Sequence, residues 1–512
     1  MTLNSQLLAV EMDEKILRSP IPTIPYPQIS VAEYIFGRLK QYDSRKTVLI
    51  DCPSGRKHNS QQVYDHSYNI AAAFVSLGLQ KGDVVLFISP NSDYYAIALL
   101  GVMAAGGKGD VVLFISPNSD YYAIALLGVM AAGGVFSACR EIFNAVEDTT
   151  AKYLVCTKEN LEDIKKIANS LPQIRKIILI ANDWNLKNDS KIVPYFQLYD
   201  YNASECDIDL PKRVNCETDM AALLLSSGST AIASGAVGAI MPGFDGIKFI
   251  NYVEKYKISS VFLVPSYAIF LANVDVSNRD VSSLEDIMCA GSPLPDGVAD
   301  RVTHNLKLKY FRQGYGMTEI GFCTQVYRSK TVEHKRSVGW CIPDSQVKIV
   351  DPKTGQVLGA NQIGEIWIKS FQVTPGYLNL PDKNAESFDS TGFIRSGDAG
   401  FYDSDRLLYI MDRYKQIILV EGAIVLPSEL EFLLLNHEDV SEAAVVGIPH
   451  EYYGEIPKAF VVLKANRNVS EETLIQYIDG LVNTVKRLRG GLVILKELPK
   501  TPLGKINKTL LK

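Results

Sequence analysis

Between Val48 and Ala290, short apolar runs alternate with longer stretches of helical period. The runs are Val48–Asp51, Val84–Ile88, Tyr153–Cys156, Ile177–Ile180, Ala222–Leu225, Ser260–Val264 and Ile287–Ala290, with helix-like segments such as Gln61–Leu77 between them. Four or five consecutive apolar residues bounded by turn formers describe a strand buried on both faces. Their alternation with helices predicts mostly parallel sheets covered on both sides. From about Ser337 the pattern changes to strands punctuated by Gly, Asp and Pro, such as Gln346–Val350 and Gly364–Ile368, which predicts antiparallel structure. After Asp412 the chain predicts a small α+β domain. Its elements are a helix at Ser428–Leu435, strands at Ala443–Val446 and Ala459–Leu463, a helix at Ser470–Asn483 and a strand at Leu492–Leu495. Asp412-Arg413-Tyr414-Lys415 is the expected joint, dividing the chain into residues 1–412 and 413–512.

One feature breaks the regularity. KGDVVLFISPNSDYYAIALLGVMAAGG occupies Lys81–Gly107 and recurs unchanged at Lys108–Gly134. Each copy encodes a strand, a Pro-Asn-Ser turn able to cap a helix, and an apolar helix ending at Gly-Gly. A repeat array needs at least three diverged units to share a core, so two identical copies read as a recent duplication or an error of gene assembly. A right-handed crossover into the expected strand Val135–Cys139 requires only one unit. One copy is therefore expected in the sheet, with the other displaced or added at an edge.

Composition narrows the class. Fifty-two Lys plus Arg face 57 Asp plus Glu for a net charge of -5, with no basic tract, which argues against nucleic-acid binding by bulk charge. The eight cysteines show no CxxC and no Cys/His ligand spacing, so reduced thiols in an intracellular, most simply cytoplasmic, protein are expected. The uncharged run Tyr121–Cys139 approaches membrane-spanning length, but Gly133-Gly134 interrupts it. It reads as a buried helix followed by a strand, with no transmembrane segment. The C-terminal Leu510-Leu511-Lys512 is not an SKL-type peroxisomal address.

Candidate chemistry is scattered. Leu223-Leu224-Leu225-Ser226-Ser227-Gly228-Ser229-Thr230 is a buried strand running into a loop of hydroxyls and glycine, where backbone N–H groups can converge on phosphate. A plain surface turn fits it equally, and it is no Walker A loop. Gly314-Tyr315-Gly316-Met317-Thr318-Glu319 sets an aromatic ring, two flexible glycines, a hydroxyl and a carboxylate within six residues, suiting base stacking, phosphate and Mg²⁺, or simply a turn around a buried Tyr. Ser396-Gly397-Asp398 and Asp412-Arg413 offer a carboxylate and a guanidinium for ribose hydroxyls, and Lys505 sits on the Pro/Gly-stiffened run Pro499–Lys505.

In this order and spacing the chain resembles the adenylate-forming superfamily, most of all the acyl-CoA synthetases that include 4-coumarate–CoA ligase and firefly luciferase. The resemblance runs from about Pro27 to Lys508. It is carried by SSGST, CAGSPLP (Cys289–Pro295), QGYGMTE (Gln313–Glu319), SVGWCIP (Ser337–Pro343), GEIWIKS (Gly364–Ser370), SGDAGFYD (Ser396–Asp403), DRYKQII (Asp412–Ile418) and PKTPLGK (Pro499–Lys505). It implies a large N-terminal domain of stacked, mostly parallel sheets with a small β-barrel, and a small mobile α+β C-terminal domain. It also implies a two-step reaction in which a small-molecule carboxylic acid attacks the α-phosphate of Mg-ATP and CoA then displaces AMP from the acyl-adenylate.

By the same resemblance, Ser226, Ser227, Gly228, Ser229 and Thr230 would cradle the β- and γ-phosphates. Thr318 and Glu319 would serve phosphate and Mg²⁺, while Gly291, Ser292, Gly314 and Tyr315 would frame adenine. Asp398 and Arg413 would hold the ribose, with Gly422 also beside the nucleotide. Lys505 would neutralise charge where carboxylate and α-phosphate meet, and Lys415 would change face as the small domain rotates. Val264-Pro265-Ser266 would begin one wall of the acyl pocket.

The chain departs from that pattern after Thr230. The family continues with the rest of the phosphate loop, its lysine and a histidine-bearing segment, whereas here Ala231–Phe244 matches a strand that lies further on. A few dozen residues are missing, and none of the six histidines occupies the lost context. Leu419, Glu421 and Ile424 stand where close relatives carry two lysines and a glutamine around CoA and AMP. One lost oxyanion-type donor costs about 10²–10³ in rate, so these losses together predict a deficit of about four decades or more. The readings that follow are an acid–CoA ligase with impaired turnover, a pseudoenzyme that binds nucleotide without turning it over, or a faulty gene model of an intact ligase. Delivery of the acyl group to a carrier-protein thiol or to oxygen is less favoured.

Overall fold

The computed structural model describes residues 14–23, 29–80, 83, 85–89, 92–105, 150–181, 189–199, 201–203, 235–295, 297–317, 319–327, 336–374, 376, 381–499 and 506–511. The second repeat copy, the run Tyr121–Cys139, the Ser226–Thr230 loop, Thr318 and Lys505 lie outside them. So do the expected strands Val135–Cys139 and Ala222–Leu225.

The apolar runs form strands as their pattern predicts. Val85–Ile88, Tyr153–Thr157, Lys176–Ile180 and Ile192–Pro194 make a four-stranded, wholly parallel sheet in that order. Thr47–Asp51 stands between Lys57–Asn59, antiparallel, and Gly238–Ile240, parallel. The third sheet is mixed. Ser260–Leu263, Asp286–Cys289 and Tyr310–Met317 run parallel, and Gly321–Gln325 and Trp340–Cys341 then continue antiparallel.

Here the structure overturns the alternative of a simple turn around a buried Tyr at Gly314–Met317. These residues complete an eight-residue strand with a bulge at Tyr315/Gly316. The glycines serve close approach: a Cβ on Gly316 would fall 1.9 Å from the Gly321 carbonyl oxygen, and one on Gly314 2.6 Å from Met288 Cε.

The antiparallel half-barrel orders Leu17–Arg18, Gln346–Val350, Gly364–Lys369, Ile394–Tyr402 and Leu408–Arg413. It joins the mixed sheet through Val338 N–H to Leu408 O (2.9 Å) and Leu408 N–H to Gly339 O (3.0 Å). One apolar core, including Tyr315, Ile320, Val347, Ile366 and Leu408, is shared between them. The last sheet orders Ala423–Val425, Ile418–Val420, Gly454–Leu463 and Val440–His450, with Leu492–Ile494 added parallel to Gly454–Leu463. The helices Pro427–Leu435 and Glu471–Asp479 pack against it. The second is shorter than the expected Ser470–Asn483, its last turn ending at Gly480.

Of the two repeat copies, the first supplies the sheet strand Val85–Ile88 and the helix Asp93–Ala104. That helix lies so close to the helix Ser60–Ser76 that a Cβ on Gly101 would meet Ile70 Cγ2 at 2.7 Å. Asp93, fully buried at its start, binds Arg56 Nε (2.8 Å), Arg56 Nη2 (3.0 Å) and His58 Nε2 (2.8 Å). Burial raises its pKa, but the hydrogen bonds of His58 and Arg56 outweigh this and lower it to about 2.

In the mixed sheet, Ser260–Leu263 is an edge strand among the described residues, yet its sequence reads as a central one. Phe262 is 44% exposed, and Ile247 (67%) and Phe270 (38%) are exposed on neighbouring elements.

Because the packing just described is made by the first copy, a variant lacking Lys108–Gly134 is expected to fold with an unchanged or higher Tm. Thermal unfolding followed by circular dichroism checks this; a Tm lowered by ten degrees would show that the second copy carries part of the core.

Candidate functional site

The site is assembled where the parallel part of the mixed sheet meets the half-barrel. Parallel strands Asp286–Cys289 and Tyr310–Met317 pair Cys289 with Gln313, so Gly291 and Ser292 leave the sheet at the end where Gly314 and Tyr315 lie. Ligands of α/β folds collect at this carboxyl end of a parallel sheet. Gly291 has φ +108°, a conformation for which glycine is suited, and both it and Ser292 are exposed.

From the half-barrel come Asp398 on Ile394–Tyr402 and Arg413 on Leu408–Arg413, directly paired across the strands. Gly397, at φ +73°, opens a bulge before Asp398, and its N–H donates to Glu365 Oε1 (3.2 Å). The Asp398 carboxylate is used on both sides. Tyr315 donates its hydroxyl to Oδ2 at 2.6 Å, and Arg413 Nε stands 3.1 Å from Oδ1. Arg413 also donates to the Ser396 carbonyl (3.2 Å) and remains 58% exposed, so the guanidinium faces outward from a carboxylate that is nearly buried.

Electrostatics at Asp398 are finely opposed. Burial raises its pKa; Arg413 and the Tyr315 hydrogen bond pull it down, and the Asp412 and Glu319 carboxylates push it up again. The net direction is upward. Tyr315, fully buried beside that carboxylate, is held well above the usual phenol range, first by burial and then by the Asp398 charge.

Glu319 follows the strand, and its carbonyl accepts from Thr374 N–H at 2.8 Å. Among the described residues no group of three or more His, Cys, Asp or Glu is arranged to hold a metal ion unaided. One carboxylate is what Mg²⁺ needs when nucleotide phosphates and water supply its other ligands, so Glu319 fits a nucleotide-borne ion.

The structure thus brings together Gly291, Ser292, Gly314, Tyr315, Glu319, Asp398 and Arg413. Lys415, on the short 3₁₀ turn Tyr414–Gln416, is exposed and follows directly on Arg413. Gly422 belongs to the C-terminal sheet, where Glu421 (φ +52°) and Gly422 (φ +80°) form the two-residue turn between Ile418–Val420 and Ala423–Val425. Two positive φ values define a type I′ hairpin turn, which accounts for the glycine without any ligand.

The sequence reading placed Asp412 in the joint and beside Arg413 but not in the contact it makes across that joint. Asp412 alternates with Arg413 to the opposite face of the strand and is buried. Its Oδ1 accepts from Arg413 N–H (2.7 Å) and its Oδ2 from Ser428 N–H (3.0 Å). Ser428 lies in the first turn of the helix Pro427–Leu435, whose N-cap residue, Leu426, has no side chain able to accept. The uncapped start was the available signal.

These residues lie in a chain with clear relatives. The family model described as AMP-binding enzyme matches residues 37–107, 107–237 and 230–378, and that of the AMP-binding enzyme C-terminal domain matches 429–505. The chain belongs to the AMP-binding enzyme family. It is similar to "Probable 4-coumarate--CoA ligase 3" of Dictyostelium discoideum, 27% identical, with 96% of this chain and 97% of that protein covered. It is also similar to "Luciferin 4-monooxygenase" of Photuris pensylvanica, 26% identical with 98% of each covered. Among solved structures, the anthranilate CoA ligase AuaEII in complex with anthranoyl-AMP shares the fold at TM-score 0.71 and 20% identity, covering 95% of this chain and 97% of that one. ATP-bound MatB from Rhodopseudomonas palustris does so at TM-score 0.69 and 21% identity, covering 94% and 98%. No helix among the described residues is long and apolar enough to cross a membrane.

Two effects of pH follow from the raised Asp398 value. An ionised carboxylate accepts hydroxyls, so nucleotide affinity is expected to fall as pH drops through that value, sooner than for an ordinary aspartate. Stability runs the other way: a folded value above the unfolded one favours the fold at low pH, a contribution lost as pH rises through the folded value. Calorimetric titration with ATP checks the first. Asp398→Asn is expected to weaken binding by about 10–100-fold, as for a lost charge-assisted hydrogen bond, and to remove the acid dependence. Unchanged affinity would remove Asp398 from the site.

Proposed function

We propose that this protein is an ATP-dependent acid–CoA ligase. A carboxylic acid displaces pyrophosphate from Mg-ATP to give an acyl-adenylate, and CoA then takes the acyl group and releases AMP. Residues 1–412 form the nucleotide domain and 413–512 the moving one. The observation that carries this reading is the Tyr315–Asp398–Arg413 constellation, a paired carboxylate and guanidinium beside an aromatic strand at the carboxyl end of a parallel sheet. It offers acceptors and donors to a pair of vicinal hydroxyls. The names of the relatives, several of them CoA ligases, support the chemistry.

In this reading Ser226–Thr230 and Thr318 take the phosphates, Glu319 the Mg²⁺ that neutralises them, and Gly291, Ser292, Gly314 and Tyr315 the base. Lys505 completes adenylation, and Lys415 with Gly422 comes into play once the small domain has turned. Charge neutralisation at the meeting of two anions supplies most of the rate in such transfers.

Turnover is proposed to lie far below that of intact relatives. The seams of the family match fall at residue 107, between the two repeat copies, and at 230–237, where the sequence skips. The exposed Phe262 on an edge strand of central character supports the loss of a neighbouring segment. That observation favours a second reading, a nucleotide-binding protein without turnover.

Purified protein with Mg-ATP, CoA and pools of aromatic and fatty acids separates the two. Slow pyrophosphate release that a Lys505→Ala variant abolishes is the expected result. ATP binding with no release for any acid would leave only the second reading.

A further inference from the structure

Pro499 and Asn507 bracket the segment that contains Lys505, and both are held. Asn507 donates its N–H to the Pro499 carbonyl at 2.7 Å. On either side of it, Ile506 and Leu511 pack on the small apolar cluster of Ala444, Val446, Phe460 and Leu498. Among the described residues an ion pair fastens this tail to the rest of the domain: Lys508 Nζ lies 2.7 Å from Glu431 Oε1, each side chain 17% exposed.

Glu431 belongs to the helix Pro427–Leu435. Its Oε1 also accepts the Val445 N–H, at 2.6 Å. A single carboxylate therefore joins the helix, the strand Val440–His450 and the tail. The same helix is capped at Ser428 by Asp412, the residue before Arg413. Mechanically this forms a chain: the half-barrel strand ends at Asp412–Arg413, Asp412 holds the helix, the helix holds Lys508 through Glu431, and Lys508 stands three residues after Lys505. A nearly buried ion pair contributes little net stability, but removing one partner strands the other charge, so such pairs set geometry more than free energy.

We propose that Glu431 and Lys508 are positioning residues that fasten the tail Ile506–Leu511, which follows Lys505 directly in the sequence, to the helix that starts at the Asp412 joint, and so govern adenylation without acting in acyl transfer to thiol. This rests on the ligase reading above for the role of Lys505; the anchoring itself rests only on the contacts just given. The two contact each other, and Glu431 also the Val445 N–H. The effect belongs to the rate of the first step at an unaltered KM for ATP.

The test uses full-length wild type, Glu431→Gln, Lys508→Met and Lys508→Arg. Glu431→Gln keeps an acceptor for the Val445 N–H and is the variant chosen to fold. Hydrogen–deuterium exchange read by mass spectrometry on the peptide spanning residues 496–512 is expected to quicken at least tenfold in Glu431→Gln and Lys508→Met. A peptide from Gln346–Lys369 should stay unchanged, and Lys508→Arg should match wild type. Pyrophosphate release with 4-coumarate and octanoate as probes is expected to fall at least tenfold in the first two variants. Thioester formation from supplied 4-coumaroyl-adenylate and CoA should stay within twofold. Unchanged exchange at the tail, or equal losses in both half-reactions, overturns the proposal. Wild type that releases no pyrophosphate with either acid rejects the catalytic role given to the pair, and the exchange result still decides whether the pair anchors the tail.

Discussion

A carboxylate kept almost out of water at the seam of two sheets organises this molecule. Asp398 is nine-tenths buried, and a charge there is tolerated only because Tyr315 and Arg413 each engage one of its oxygens. Tyr315 reaches it from a strand of the mixed sheet, Arg413 from the last strand of the half-barrel. The hydrogen bond therefore crosses the same interface that the shared core of Ile320, Val347, Ile366 and Leu408 closes by apolar packing. Tyr315, Asp398 and Arg413 thus tie together two sheets of one domain.

From that seam a line of acidic groups continues outward. Glu319 and Asp412 both act on Asp398, and Asp412 acts in turn on Glu431. Arg413 offsets the charge at one end and Lys508 at the other. Glu431 shows the outcome: burial drives its carboxyl up, Lys508 draws it down, and the Asp412 charge adds to the rise. The Asp398 cluster, the joint and the C-terminal tail thus share one electrostatic neighbourhood, although their residues are scattered from position 319 to position 508.

Much of the scaffold was legible because buried parallel strands have a local signature. Tyr153–Thr157, Lys176–Ile180 and Asp286–Cys289 were all readable as apolar runs to within a residue or two. Gly314–Met317 was not, since glycines in a strand look like a loop until the partner that crowds them is known; here the partners are Met288 and Gly321. Val440–His450 extends well past the expected Ala443–Val446 because the cross-strand ladder with Gly454–Leu463 carries polar Glu442 and His450 along with it. The contact of Tyr315 with Asp398 spans 83 residues, and the cap that Asp412 gives Ser428 crosses the joint; neither leaves a periodic trace. Family resemblance named the first pair as neighbours of one nucleotide but not as partners of each other.

The most direct measurement compares ATP with 2′,3′-dideoxy-ATP on wild-type protein by calorimetry at one salt concentration. If the Asp398–Arg413 pair receives the ribose hydroxyls, removing both hydroxyls weakens binding at least tenfold, since the charge-assisted hydrogen bonds to that pair are lost. Equal affinity for the two nucleotides would mean that the buried carboxylate serves only to hold the sheets together.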